Sequence, residues 1–457
     1  MIVVKFGGTS VGDAAAIERA ADIVHARLSR QPLVVVSALA GTTNTLLAIA
    51  EQAAQGQLIS AMRGVQGLRE RHLQVAEDLL GDAPIHHDLF GDISVTFDEL
   101  ASLAEALATL GHMTPRSQDA IASKGEEVSS VLVVAAFEAK GIPAEHVDAT
   151  TVMITNDHFG RADPKPERIA EASERVIRPL LERGRVPVLG GYIGATEQQI
   201  TTTLGRGGSD YSASLLGAAL GAEAIEIWTD VDGMLTADPR VVKGAHLIER
   251  IRFDEASELA SFGAKVLHPN TIAPAVRLGI PVFVHNSRNP HGSGTRITED
   301  APERAVSAIA GKSDVTVIRV RSPRMLLTHG FLRTTFEVFE RHRTSVDVVA
   351  TSEVSVSVTV DDATHLDSLI VDLTRLGDVT VERHRGIVAL VGAGLNRDGL
   401  AMSRALAALQ GTKVHMLSLS ASGINLTIII DGDRVAPAMQ ALHKTFFDST
   451  APQAPRP

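Results

Sequence analysis

The run Thr201-Thr202-Thr203-Leu204-Gly205-Arg206-Gly207-Gly208-Ser209-Asp210 sets a single arginine among glycines, ahead of an Ala- and Leu-rich stretch from Ser212 to Leu220. Small hydroxyl residues, glycines and Ser-Asp before an apolar helical pattern predict a loop that brings backbone N–H groups to a helix start. Such a start attracts anions, because the unpaired N–H groups and the positive end of the helix dipole both favour negative charge. Arg206 adds a planar fork matched to a carboxylate or a phosphate. A second centre of chemistry is Lys5-Phe6-Gly7-Gly8-Thr9-Ser10-Val11, where a β-branched run delivers a lysine to a glycine turn. The lysine precedes its glycines, so the segment fits neither the GxxxxGK[ST] nor the GxGxxG pattern. Both centres point to chemistry on anions. Glu126 and Glu127 follow Ser123-Lys124-Gly125 at the head of another helical pattern, and as first-turn acids they suit the helix dipole.

These residues need elements to hold them. Ile2–Phe6, Leu33–Ser37, Val147–Thr150, Val186–Gly190, Ala224–Thr229 and Pro281–His285 are expected as strands, and helical patterns alternate with them. Alternation of this kind predicts an α/β fold with a largely parallel sheet covered on both faces, its ligand loops at the carboxyl ends of the strands. From Ala50 to about Leu110 the pattern is helical, and its charges are expected on solvated faces. At 457 residues with 44% hydrophobic content the chain has room for about three domains. No apolar run reaches the ~18 residues of a membrane span, and no leader precedes the first strand, so no membrane partner and a cytoplasmic location are expected. The absence of cysteine excludes disulfides and Cys-ligated zinc, and a net charge of −11 argues against nucleic acid as a partner.

Lys5–Val11, Thr202–Asp210, Trp228-Thr229-Asp230-Val231-Asp232-Gly233 and Phe262–Pro269 resemble, in order and spacing, the motifs of the aspartokinase family. The resemblance implies an amino-acid-kinase fold over 1–295 and ATP-dependent phosphorylation of the β-carboxylate of L-aspartate, the first step toward lysine, threonine and methionine. It implies Mg²⁺ carried on ATP rather than held by protein ligands. Lys5, Asp210 and Lys265 resemble the catalytic set. Ser37, Thr43, Glu126, Arg206, Gly207, Gly208 and Ser209 resemble substrate contacts, with Glu126 on the α-ammonium and Arg206 on the α-carboxylate; which of Glu126 and Glu127 faces the substrate stays open. Phe6, Gly7, Gly8, Thr229, Asp230, Leu235, Arg240 and Val266, with both lysines, resemble nucleotide contacts. Leu235 stands where most relatives carry Tyr. The chemistry agrees with the residues: a side-chain carboxylate is ionised at neutral pH and needs no general base, while fixed cations must stabilise the charge moving between donor and acceptor. Another member of the fold acting on glutamate or a nucleotide, or a silent amino-acid sensor, are the alternatives.

After Thr295 the composition turns to short Val-, Ile-, Ser- and Thr-rich strands with single helices, in two copies 68 positions apart, Val346 matching Val414. Strands are expected at Ser345–Val349, Val354–Val360, Lys413–Leu417 and Ile424–Ile428, and helices at Gly330–His342 and Gly399–Gln410. The copies resemble paired α+β ACT modules, 305–383 and 384–448, with the strand at 305–310 completing the second module and a disordered tail at 449–457. Met325, Thr328, Gly330, Leu332, Ser345, Val346, Asp347, Ser352 and Glu353 resemble the allosteric lysine site of lysine-sensitive members. Lysine as inhibitor, with a homodimer or higher oligomer formed through the modules, follows from that resemblance.

Overall fold

A computed structural model describes residues 1–81, 86–262, 271–326, 329–361, 364–397 and 399–448. The chain divides into two compact units, Met1–Met234 with Val266–Ala301 and Leu235–Lys265 with Pro302–Pro457.

In the first unit the strands are β1 (Ile2–Phe6), β2 (Pro32–Val36), β3 (Ala144–His146), β4 (Val186–Gly190), β5 (Ile193–Ala195), β6 (Thr201–Thr203) and β7 (Ala224–Thr229). A short strand β8 (Arg250–Ile251) belongs to the second unit, and β9 (Val282–Asn286) and β10 (Thr295–Ile297) return to the first. The main sheet of the first unit runs β3-β4-β2-β1-β7-β9-β10. It is parallel through β9, with β10 antiparallel. The helices are α1 (Ala14–His25), α2 (Thr42–Ala54), α3 (Leu58–Leu80), α4 (His86–Leu110), α5 (Pro115–Ala122), α6 (Lys124–Ala139), α7 (Pro166–Val176), α8 (Arg178–Glu182) and α9 (Gly208–Leu220). Strand parity decides which side chains meet which helices. Ile2, Val4 and Phe6 join the apolar cluster built with α1, α2, α3, α4 and α6. Val3 and Lys5 therefore point to the other face, where α9 packs; a Cβ on Gly217 of α9 would lie 2.8 Å from Ile225 and 3.6 Å from Val3.

The strand expected at Val147–Thr150 lies earlier, at β3. Asp148 accepts a hydrogen bond from the Thr150 N–H and closes a 3₁₀ turn over Ala149–Thr151, as Asp side chains do when they compete with the ladder.

The second unit holds α10 (Phe253–Ser261), and α11 (Ala273–Arg277) lies back in the first. Then come β11 (Ala308–Arg321), α12 (Phe331–Arg341), β12 (Val349–Ser352), β13 (Ser355–Val360), α13 (Leu366–Leu373), β14 (Asp378–Val391), α14 (Gly399–Ala408), β15 (Met416–Leu419), β16 (Asn425–Asp431) and α15 (Val435–His443). The sheet order is β12-β13-β11-β14-β16-β15, all antiparallel. The two long strands serve both halves: Ala308–Ser313 pairs with Gly386–Val391, and Val317–Arg321 with Asp378–Glu382. Each half has its own apolar cluster, one around Ile318, Phe339, Val358 and Leu369, the other around Ile309, Leu390, Ile428 and Leu442. Ala237 and Val242 belong to the latter, which is why the stretch from Leu235 onward groups with this unit. Strands expected at Ser345–Val349 and Lys413–Leu417 begin later, at Val349 and Met416. The tail at 449–457 lies outside the described residues.

Candidate active site

A cleft of about 590 Å³ opens at the carboxyl ends of β1, β2 and β4, lined by Lys5, Ser37, Thr43, Glu126 and Tyr192, and closed by Arg206–Asp210. Lys5 is 8% exposed, and its Nζ lies 2.6 Å from Asp210 Oδ1. Parity of β1 puts the lysine on the α9 face, and Asp210 occupies the first turn of α9. Gly207, at φ 74°, takes the left-handed conformation that starts α9. Gly191 allows Ser209 its place, since a Cβ there would stand 2.7 Å from the serine Cβ. The Ser37 carbonyl accepts from Ser129 Oγ at 2.7 Å, which ties the β2 loop to α6.

The two adjacent acids part company at the head of α6. Glu126 is 3% exposed, lines the cleft, and has Oε2 buried without a hydrogen-bond partner among the described residues. Burial pushes its carboxyl up to about 8, backbone hydrogen bonds from Ala38 and its own N–H pull the other way, and Glu127 adds a small upward push while Lys5 opposes. Glu127 turns to the opposite side, 2.7 Å from Lys124 Nζ and accepting from Ser123 Oγ at 2.8 Å. A buried carboxylate oxygen with no donor is costly. A ligand ammonium would supply what it lacks.

Arg206 is exposed, and among the described residues no carboxylate pairs with it. On the other side of the sheet centre, the glycine turn after β1 is anchored rather than free: the Gly7 N–H donates to the Trp228 carbonyl at 2.9 Å, and Ser10 Oγ donates to the same oxygen at 3.2 Å. Gly8 must be glycine because a Cβ would stand 2.8 Å from the Ala38 carbonyl. Phe6 is fully buried, so it offers the cleft no side-chain surface. Thr229 is partly exposed and Asp230 exposed at the end of β7, with Thr229 Oγ1 donating to Asp230 Oδ1 at 3.2 Å. Leu235 and Arg240 fall in the second unit, where Arg240 pairs with Asp238 at 2.6 Å. Lys265 and Val266 lie outside the described residues.

Three further residues shape the cleft and carry no motif. Arg71, on the stretch of helix whose charges were expected to be solvated, is partly buried and donates to the carbonyls of Ala40 at 2.8 Å and Gly12 at 3.0 Å. It links the loops after β1 and β2, and only the fold of α3 against them could reveal that. Asp119 is buried on α5 and accepts from Gly160 in a cleft loop and from Thr203 at the end of β6. Tyr192 lines the cleft at φ 67°, a conformation that L side chains rarely adopt. The Gly-Gly-Tyr run was the one available sequence signal for it.

In the second unit, Asp347 and Glu353 flank β12 and both are exposed at their outer surfaces. Packing around Asp347 still raises its carboxyl by desolvation, while Lys312 opposes. The Asp347 N–H donates to the Thr359 carbonyl at 2.9 Å. Gly330, at φ 84°, starts α12; Leu332 and Ser345 are exposed; Met325 and Val346 pack against the first-module core; Ser352 Oγ meets Ser355 Oγ at 2.7 Å. Thr328 lies outside the described residues. In the second copy His415 stands where Asp347 stands in the first, and it is already held between Glu382 at 3.2 Å and Asp431 at 2.9 Å. Ala421 replaces Glu353.

A parallel sheet with its cleft at the strand ends, a lysine–aspartate pair on its floor and an arginine loop at its rim define an amino acid kinase. The family model for the amino acid kinase family matches residues 1–286, and one for the ACT domain matches 388–446. The chain is 39% identical to lysine-sensitive aspartokinase 3 of Escherichia coli, covering 98% of this chain and 99% of that one. Chloroplastic aspartokinase 3 of Arabidopsis thaliana is 35% identical, covering 99% and 82%. Among solved structures, E. coli aspartokinase III in complex with aspartate and ADP (R-state) superimposes with a TM-score of 0.85 at 38% identity, covering 98% of this chain and all of that one. The same enzyme in complex with lysine and aspartate (T-state) gives 0.82 at 38% identity, covering 98% and 99%. The chain belongs to the aspartokinase family. It is a nucleotide-using kinase with a C-terminal ACT region. Among the described residues no helix is long and apolar enough to cross a membrane.

Proposed function

We propose that the cleft transfers the γ-phosphoryl group of ATP to the β-carboxylate of L-aspartate. The observation that carries the residue assignment is the convergence in one cleft of a buried lysine with a carboxylate oxygen and an arginine that have no partner among the described residues. Glu126 holds the α-ammonium and Arg206 the α-carboxylate, which leaves the β-carboxylate free to face Lys5. No base is required, because the acceptor is already an anion. Lys5 stabilises negative charge on the transferring group, and Asp210 holds the lysine in place through the 2.6 Å pair. Lys265 is proposed as the second cation on the nucleotide side. Mg²⁺ would come on the triphosphate and supply charge neutralisation there, where Asp210 is the carboxylate that the cleft presents beside Lys5.

The second half of the proposal is lysine control through the first ACT module. Asp347 and Glu353 stand on either side of the strand β12 (Val349–Ser352), Glu353 in the hairpin turn that follows it, and the strand alone separates them by on the order of 10 Å at ~3.3 Å per residue. A homodimer, in which a second copy supplies an acid to one of the two ammonium groups of lysine, is the expected working state. The interleaving of modules at 305–383 and 384–448 is supported by the pairing of Ala308–Ser313 with Gly386–Val391. A cytoplasmic location is proposed with it. The test is ATP turnover with aspartate, glutamate or UMP as acceptor, with any acyl phosphate trapped by hydroxylamine, with and without lysine. Hydroxamate formed from glutamate but not from aspartate, or no turnover at all, would overturn the reading.

A further inference from the structure

Asp119 sits in the last turn of α5, 1% exposed, and no cation pairs with it among the described residues. A bare buried carboxylate is expensive unless neutral donors surround it. Among the described residues its donors are three, one from Gly160, which lines the cleft, and two from Thr203, the last residue of β6, just ahead of the cleft-lining run Gly205–Asp210. Oδ2 accepts from the N–H of Gly160 at 2.8 Å and of Thr203 at 3.1 Å, while Oδ1 accepts from Thr203 Oγ1 at 2.7 Å. Desolvation raises the carboxyl pKa, and these three hydrogen bonds oppose the rise.

The Gly160 loop and the segment leaving β6 also touch each other. Ala162 N–H donates to the Thr203 carbonyl at 2.9 Å, and a Cβ on Gly205 would lie 3.3 Å from the Gly160 carbonyl. Three residues after Thr203 comes Arg206, exposed and flanked by Gly205 at φ 75° and Gly207 at φ 74°. An arginine between two glycines has little local restraint. Its place over the cleft is fixed from one side by the start of α9 and from the other by the anchored Thr203.

We infer that Asp119 is a positioning residue for aspartate: it clamps the Gly160 and Thr203 backbones and thereby sets where Arg206 presents its fork to the α-carboxylate. This rests on the reading of Arg206 as the α-carboxylate ligand. Charge-assisted bonds suit the task, being shorter and about twice as strong as neutral ones.

The experiment is steady-state kinetics on the full chain, with KM for aspartate and for ATP measured separately, on Asp119→Ala, Asp119→Asn, Arg206→Ala and the Asp119→Ala/Arg206→Ala double variant. Asp119→Ala should raise KM for aspartate about tenfold or more, since small misplacements of a binding group are costly, and leave KM for ATP within about twofold. Asp119→Asn should restore most of the loss, because a carboxamide oxygen can accept from both N–H groups while its NH₂ donates to Thr203 Oγ1. In the double variant the Asp119→Ala effect should vanish into that of Arg206→Ala, as for groups acting as one unit. If Asp119→Ala fails to fold, Thr203→Val, which deletes the 2.7 Å bond, should raise KM for aspartate about threefold. Unchanged KM for aspartate in whichever of these two folds, equal rises in both KM values, or effects that multiply in the double variant would overturn the inference. Normal aspartate use by Arg206→Ala would instead remove the Arg206 reading and the inference with it.

Discussion

On the proposed reading the cleft and the first ACT module each set acids toward a ligand amine, and the structure holds those acids in opposite ways. Glu126 is 3% exposed with one oxygen orphaned, and Lys5 is 8% exposed against Asp210. Asp347 and Glu353 are exposed beside an edge strand. A cleft that is buried before its ligand arrives carries a standing electrostatic cost that the substrate relieves. An exposed acid carries almost none, and becomes selective only when another surface covers it. The first arrangement suits a site that must orient a reacting group, the second a site that responds to assembly and ligand together.

The strongest way to break this contrast is Glu126→Gln. If the buried charge is there for the α-ammonium, kcat/KM for aspartate should fall by about 10²–10³-fold. The same change should stabilise the ligand-free protein. A carboxyl raised to about 8 in the folded state and ordinary in the unfolded one makes the fold bind more protons between about pH 4.5 and 8, so stability falls as pH rises through that window. Removing the acid should therefore raise Tm at pH 8 by roughly 2 °C or more. A lower Tm would show that Glu126 is a structural acid.

Protonation of Glu126 also gives a pH signature. Aspartate binding should expel a proton, so KM for aspartate in the unaltered enzyme should fall as pH rises from 6 to 8, by up to about tenfold per unit. A flat profile would mean the group is already ionised in the empty cleft.

Lys5→Ala should lower kcat by about 10² while leaving KM for ATP nearly unchanged, because the cation acts most when charge moves. Normal turnover with a raised KM for ATP would reduce it to a binding contact.

Asp347→Ala sharpens the other side of the contrast. It should raise the lysine concentration for half inhibition about tenfold and leave basal kcat unaltered, as inhibitor titrations would record. Threonine-only inhibition, or unaltered lysine sensitivity, would defeat it. The smallest effect belongs to Glu127→Gln, under about threefold in kcat/KM, since that acid spends its charge on Lys124 at a partly exposed site.

How much of this was legible beforehand follows from what each residue depends on. Lys5, Arg206 and Asp210 could be read because glycine turns, helix starts and strand runs are local, and local geometry is written in consecutive residues. The doubled C-terminal pattern was legible for the same reason, as periodicity within short strands. The order of the two acids was not, because whether Glu126 or Glu127 meets the cleft depends on how α6 is rotated against β2 and β4. That rotation is set by apolar packing over the whole sheet. Strand starts near Ala144, Val349 and Met416 escaped notice because side-chain capping and edge pairing compete with propensity there.

By itself the sequence determined the parallel fold, the anion-handling loops and the family to which they belong, since each rests on interactions within a few residues. Tertiary structure alone decided that Arg71 and Asp119 reach the cleft loops from α3 and α5, and that Leu235 and Arg240 lie in the second unit. Those outcomes depend on which remote segments converge, and convergence is fixed by the burial of cores such as those around Trp228 and Ile428, not by any neighbour along the chain.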